Sequence, residues 1–289
     1  MSQTWDRGAE DIGNILALEH VNVWIPSQQL ATAFYVVGMG FTRDPYLMVS
    51  LDNMWVNLGQ QQFHLITRDP QVVRGRIGIV VPDLDALTAR LSQVKALLEG
   101  TKFGYAVENG HVTVTCPWGN RFRCHAPAPE FGQMTLGLPY VEFTVRRGVA
   151  PGIAGFYDTV MGARATVGER DGAPAAFVPV GPGQRLIFRE TDEPLPAYDG
   201  HHIAIYISDF STPHRFLAEH GIITEESDRY QYRFVKIVDP RTRECLFEVE
   251  HEVRSLTHPM YLRPLINRNP AQRQRTFQRG RDAFVPGMA

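Results

Sequence analysis

Glu142, His202 and Glu248 are three residues of this chain that could do chemistry together. Each lies in a short stretch of alternating residues: LPYVEFTV (138–145), GHHIAIYISD (200–209) and CLFEVE (245–250). Successive side chains of an extended strand point to opposite faces. Val141, Phe143 and Val145 then oppose Glu142, Thr144 and Arg146. Ile203, Ile205 and Ile207 oppose His202, Ala204 and Tyr206, and Cys245, Phe247 and Val249 oppose Leu246, Glu248 and Glu250. Two carboxylates and an imidazole gathered away from water cost several kcal/mol unless something positive neutralises them. A divalent metal is the simplest neutraliser, and three protein ligands leave positions open for water or substrate. The competing reading pairs these groups with Arg146 or Lys236 in a wet groove.

Around that set stand candidate acid/base groups. Tyr206 shares the face of His202. If Val235 and Ile237 take the apolar side of the stretch 230–238, then Tyr230, Tyr232, Phe234 and Lys236 face inward, an aromatic wall with one lysine that suits a planar or acidic substrate. Tyr232 and Lys236 are the proton-transfer candidates there. A buried tyrosine with an ordinary partner and an exposed edge strand are the bland alternatives. His201 points away from His202, while His111, His125, His251 and His258 show no partner pattern.

The elements that must position these residues repeat. A strand over LALEHVNVWI (16–25) leads into a helix over Gln28–Val37 and three short strands. The order restarts at GRIGIVVPD (75–83), where Asp83 is a plausible N-cap, again at 138–145 and again at 200–209. Phe34-Tyr35 and Phe156-Tyr157 lie 122 apart, as do Met39-Gly40 and Met161-Gly162, and Gly59 and Gly181; Asp83 and Asp209 differ by 126. The chain therefore reads as a duplicated half, each half holding two βαβββ units of about 55 residues. The expected class is α+β: four modules forming two tandem half-open β-barrel domains, 15–126 and 135–252, with an Arg-rich extension over 253–289. The segment HPMYLRPLINRNP in that extension is apolar enough to dock on a barrel or a neighbouring subunit, so a homo-oligomer is possible. Past Pro270 the tail is expected to fray.

In the first half the matching inward positions are His20, His64, Arg76 and Arg123. Two arginines beside two histidines would repel a cation, so this barrel is expected to hold an anion or to be purely structural, without metal.

The bulk properties fit a soluble protein of the cell interior. The chain has 289 residues, a formal net charge of -2 and 44% hydrophobic residues. That balance gives no support for nucleic acid or membrane-surface partners. Three widely spaced cysteines form neither a disulfide framework nor a zinc motif. With a polar N-terminus and no apolar run of spanning length, a cytoplasmic location is expected.

These patterns resemble the vicinal oxygen chelate superfamily, which includes glyoxalase I, bleomycin resistance proteins and extradiol dioxygenases. The resemblance spans about residues 15–252 and rests on a polar first-strand residue fourteen before Phe-Tyr (His20 to Phe34, Glu142 to Phe156), the Met-Gly that follows, HIAIYISD, and DPRTRECLFE. It implies metal ligands at Glu142, His202 and Glu248. It also implies a divalent metal, Fe(II) first and Mn, Ni or Mg next, and a small-molecule substrate with two neighbouring oxygens. Four modules in one chain look most like the extradiol dioxygenases. Glu142 departs from their pattern, which has histidine there, so lyase or isomerase chemistry stands close behind. A non-catalytic binding protein of the same fold is the reading from a different class.

Overall fold

A computed structural model describes residues 5–47, 50–270, 275 and 283–284 of the chain. Four βαβββ units follow one another. The first holds β1 (Ile15–Asn22), a helix that begins as α1 (Gln28–Ala31) and widens into a π-helical turn (Thr32–Gly38), and then β2 (Thr42–Arg43), β3 (Asn53–Leu58) and β4 (Gln61–Ile66). The second holds β5 (Gly75–Val80), α2 (Leu84–Val94), β6 (Gly104–Glu108), β7 (His111–Thr115) and β8 (Arg121–His125). The third holds β9 (Gly137–Arg146), α3 (Ala150–Thr159), β10 (Thr166–Arg170), β11 (Ala173–Pro179) and β12 (Arg185–Thr191). The fourth holds β13 (His202–Ile207), α4 (Ser211–Glu219), β14 (Ile223–Asp228), β15 (Gln231–Val238) and β16 (Cys245–Ser255). The helix starts carry their expected signals. Ser27 Oγ accepts from the Leu30 amide at 3.3 Å, and Asp83 Oδ1 from the Ala86 amide at 2.9 Å.

The units pair in an order that the repeat does not reveal. One eight-stranded sheet runs β14-β15-β16-β13-β1-β4-β3-β2 and the other β10-β11-β12-β9-β5-β8-β7-β6. The first unit therefore joins the fourth, and the second joins the third. The expected domains 15–126 and 135–252 are each split between the two sheets. The cause is antiparallel pairing of first strands, β1 with β13 and β5 with β9. All four first strands offer a similar apolar face, so periodicity cannot choose among them. Backbone approach does discriminate: a Cβ on Gly75 would stand 1.8 Å from the Glu142 carbonyl oxygen, so β5 lies against β9 only because residue 75 is glycine.

Each sheet has a concave face and a convex one. On the convex side Val21, Phe63, Ile203, Val253, Ile77, Phe122, Phe143 and Phe188 merge with the helices into one apolar core. α3 packs under strands of both sheets, which ties them together. Among the described residues no helix is long and apolar enough to cross a membrane.

The end of the fourth unit differs from expectation in two ways. β15 carries irregular register between Phe234 and Lys236, which reverses the expected facing of its middle. Tyr232 and Phe234 enter the core, and Arg233 faces the concavity. β16 also runs on to Ser255, so Arg254 belongs to the sheet rather than to an extension. The following segment folds back on its own sheet. Asn267 Nδ2 donates to the Gly59 carbonyl at 2.8 Å, the Gly59 amide donates to Asn267 Oδ1 at 3.0 Å, and Arg263 pairs with the buried Asp44 at 2.8 Å. A two-residue strand β17 (Asn267–Arg268) pairs with β18 (Ala283–Phe284); the rest of the stretch past Pro270, apart from residue 275, lies outside the described residues, and with it the expected fraying.

Candidate metal centre

The concave face of the first sheet gathers three histidines from three strands: His20 on β1, His64 on β4 and His202 on β13. One ring nitrogen from each lies within 4.8 Å of the other two. The ring centroids of His20 and His202 are 5.6 Å apart and those of His20 and His64 6.0 Å, in edge-to-face arrangements. A bulge in β1 between Leu18 and His20 turns Glu19 toward the same cavity.

The nitrogens of two of these rings are sorted by carboxylates. His20 Nδ1 lies 3.3 Å from Glu19 Oε2, and His202 Nδ1 lies 3.3 Å from Glu250 Oε1. A carboxylate at Nδ1 holds the proton there and leaves the lone pair on Nε2. Both Nε2 atoms are buried and have no hydrogen-bond partner. Orphaned buried imidazole nitrogens are costly unless they serve a ligand, and these belong to two rings whose centroids are 5.6 Å apart. Glu252 on β16 lies beside the cluster, its Oε2 3.6 Å from His202 Nε2. The donor set of two imidazoles and a carboxylate fits a divalent transition metal.

His64 is held differently. Its Nδ1 accepts from the Asn22 amide at 2.7 Å, its Nε2 donates to Asn53 Oδ1 at 2.8 Å, and its ring stacks on Trp55 at 3.9 Å. It forms a wall of the site with both nitrogens engaged.

Electrostatics keep the imidazoles neutral. Burial drives His20 down to about 3, with Arg254 and Arg233 acting in the same direction. Burial, aided by His20, drives His64 down to about 2, and burial holds His202 well below its ordinary value. Neutral imidazole is the form that ligates. Two arginines hold the acids. Arg233 pairs with Glu250 at 2.6 Å and with Glu252, and Arg254 pairs with Glu252 and Glu19. Burial works against the charge of Arg254, and the Glu19 and Glu252 carboxylates outweigh it, so its pKa rises. Glu19, Glu250 and Glu252 face these two guanidiniums, with Glu225 3.8 Å from Arg233 at the rim, and burial raises the pKa of Glu19 and Glu250.

The residues expected to form one site do not all meet. His202 stands in the cluster. Glu142 lies on β9 in the other sheet, because the units pair one with four, and there it is bound by arginines. Glu248 precedes the stretch of β16 that pairs with β13; it sits across from Lys236, and its carbonyl accepts from Arg74. The reason for expecting no metal in the first half is removed, since His20 and His64 face His202 rather than Arg76 and Arg123. Lys236 is exposed. Tyr232 is buried beneath α4 against Phe210 and His214. Tyr206 does face the concavity, where its ring packs on Tyr261 and its hydroxyl lies 3.4 Å from Arg254. It also lines a cavity of about 850 Å³ that includes Glu19, Gln61, Gln184 and Arg263.

Glu252 went unread although a signal existed. The alternation of Phe247 and Val249 continues through His251 and Val253, which puts Glu250, Glu252 and Arg254 on the other face. Aligning units two and four by their turns misleads, because Arg123 follows Pro117 by six residues and Glu252 follows Pro240 by twelve. Sheet register restores the match: Arg123 sits beside Gly78, as Glu252 sits beside Ala204.

No protein-family model matches this chain, and no curated relative does. Solved structures do. Glyoxalase I from Zea mays superimposes with a TM-score of 0.56 at 14% identity, covering 84% of this chain and 92% of that one. A Bacillus subtilis protein provisionally described as a dioxygenase gives 0.55 at 13% identity, covering 84% and 86%. Four βαβββ modules, two half-open sheets and these likenesses together give the chain the fold of the Zea mays glyoxalase I structure, with four modules in one chain.

Proposed function

We propose that this chain is a metal-dependent enzyme acting on a small substrate with two adjacent oxygens, its metal held by His20, His202 and Glu252. The observation that carries this reading is the pair of buried, unpartnered Nε2 atoms, each backed by a carboxylate at Nδ1. The likeness to glyoxalase I and to a protein described as a dioxygenase supports it. A divalent metal bound there would supply Lewis acidity to the two substrate oxygens and stabilise the charge that develops on them.

Two imidazoles and one carboxylate with open positions form the donor set of non-haem Fe(II) oxygenases. His64, tied to Asn22 and Asn53, leaves that triad intact, which favours an extradiol-type dioxygenase over the lyase or isomerase reading. The chain's own residues have distinct tasks. Trp55 and His64 offer a flat wall to a planar substrate. Release of the Asn22 contact would free the His64 Nδ1 lone pair to take a substrate proton, a role that Lys236 and Tyr232 cannot fill from where they stand. Arg233 and Arg254 fix the carboxylates, and Glu19 and Glu250 orient the imidazoles.

Metal analysis of protein purified without chelators tests the reading. About one equivalent of metal is expected, lost in His202→Ala and retained in His64→Ala. Protein that binds no divalent metal, or binds it equally in His202→Ala, overturns the reading. Loss of metal in His64→Ala would make it a fourth ligand and favour the lyase or isomerase alternative. For the iron protein, oxygen uptake with a panel of catechols is the expected activity.

A further inference from the structure

The concave face of the second sheet is lined by arginines. Arg76 on β5, Arg123 on β8, Arg170 on β10 and Arg189 on β12 converge on Glu142 and on Asp171 at the tip of the β10–β11 hairpin. Glu142 Oε2 accepts from Arg76 at 2.8 Å and from Arg170 at 3.1 Å, and its Oε1 lies 4.0 Å from Arg189. Asp171 pairs with Arg76 and lies 3.6 Å from Arg123. Four guanidiniums thus surround two carboxylates, which leaves an excess of two positive charges.

A purely structural role for these arginines does not account for that excess. One buried carboxylate needs one good partner, and additional like charges within a few ångströms repel each other. The Nε atoms of Arg76 and Arg123 are moreover buried and without partners. Asp171 reaches these arginines from the tip of a two-residue Asp-Gly turn, whose positive φ at Asp171 and Gly172 is what such a hairpin requires. It occupies the place where an external anion would neutralise the arginines. Beside them Tyr140, Ile187, Ala175, Phe131 and Val80 form a small apolar wall, and Arg170 lies over the Tyr140 ring at 5.1 Å.

We infer that the second concavity is a binding site for a dianion of the phosphate type, with Arg76, Arg123, Arg170 and Arg189 as its donors and Asp171 as an internal competitor. Guanidinium groups present forked donors that match phosphate oxygens. The inference is independent of the metal reading, since the two sites share no residue.

Isothermal titration of inorganic phosphate into the full chain at fixed ionic strength tests it. Saturable binding is expected. Arg123→Gln should weaken it about tenfold, the loss of one charge-assisted bond. Asp171→Asn should tighten it several-fold by removing the competing carboxylate. Metal content of both variants should match the parent, so failure here is separable from failure of the metal reading. Arg189→Gln serves in place of Arg123→Gln if circular dichroism shows the latter misfolded. Absence of saturable binding overturns the inference, as does an affinity that neither an arginine variant nor Asp171→Asn changes.

Discussion

Replacing Glu252 with glutamine separates the metal centre from the fold that carries it. The side chain is almost fully buried between Arg233 and Arg254, and glutamine keeps its volume while removing its charge. Neither arginine would be left alone. Arg233 retains Glu250 at 2.6 Å, and Arg254 retains Glu19. The expected cost to the metal-free protein is therefore a weakened charge-assisted bond, about 1.5–3 kcal/mol. Orphaning a buried charge would cost about 3–5 kcal/mol. A domain stable by about 5–15 kcal/mol survives the smaller loss. Metal affinity should suffer more. Removing an outer partner of a metal ligand costs about 10–100-fold, so losing the ligand itself should exceed 100-fold, or about 2.7 kcal/mol. Urea unfolding of the metal-free protein reads the first quantity, and competition with a chromophoric chelator reads the second. Glu248→Gln is the control and should leave both unchanged. A Glu252→Gln protein that is folded and binds metal like the parent would refute the assignment.

Other perturbations give equally definite outcomes. His20 and His251 are buried and held at about 3, burial being the main cause for each. At these two positions the unfolded chain therefore binds more protons than the folded one between about pH 6.5 and 3, so their contribution to stability falls with acidification across that window. Each such histidine adds at most about 1.4 kcal/mol per pH unit. Urea unfolding of metal-free protein between pH 6 and 5 should show this slope, reduced by about one proton in His251→Gln; an unreduced slope counts against a neutral His251. Gly75→Ala should destabilise by more than the about 1–3 kcal/mol of ordinary overpacking, because its Cβ meets the backbone of β9. Tolerance of alanine there in thermal unfolding would contradict the pairing of the second unit with the third. Asn267→Ala removes both bonds to Gly59 and should cost about 1–3 kcal/mol. Limited proteolysis should then cut the segment after Ser255 faster than in the parent, and unchanged cleavage would show that the segment is held elsewhere.

The sequence disclosed the modules because alternation and a nearly constant offset are properties of single strands and helices. His202, Tyr206 and the inward face of β9 followed from the same alternation. The partner of each module did not, since β1, β5, β9 and β13 are interchangeable by pattern, and the choice rests on close backbone approaches such as Gly75 against Glu142. That one missing fact separated Glu142 from His202 and concealed that His20 and His64 belong with His202. The phase of β15 was lost for a smaller reason. An irregularity near Val235 shifts the alternation by one, and it leaves no mark in hydropathy.

The two concavities share a topology and differ in charge. His202 opens the fourth unit where Arg76 opens the second, and Glu252 stands in its sheet where Arg123 stands in the other. In the first sheet neutral imidazoles and carboxylates would receive the proposed cation. In the second, guanidiniums in excess of carboxylates would receive the inferred anion. Neither arrangement could tolerate the other's ligand, because a metal beside four arginines and a phosphate beside three carboxylates are both repelled over distances of a few ångströms. Pairing first with fourth and second with third is what keeps these charges apart. Had consecutive units paired, His20 and His64 would face Arg76 and Arg123, and neither a cation nor an anion would find a matched site.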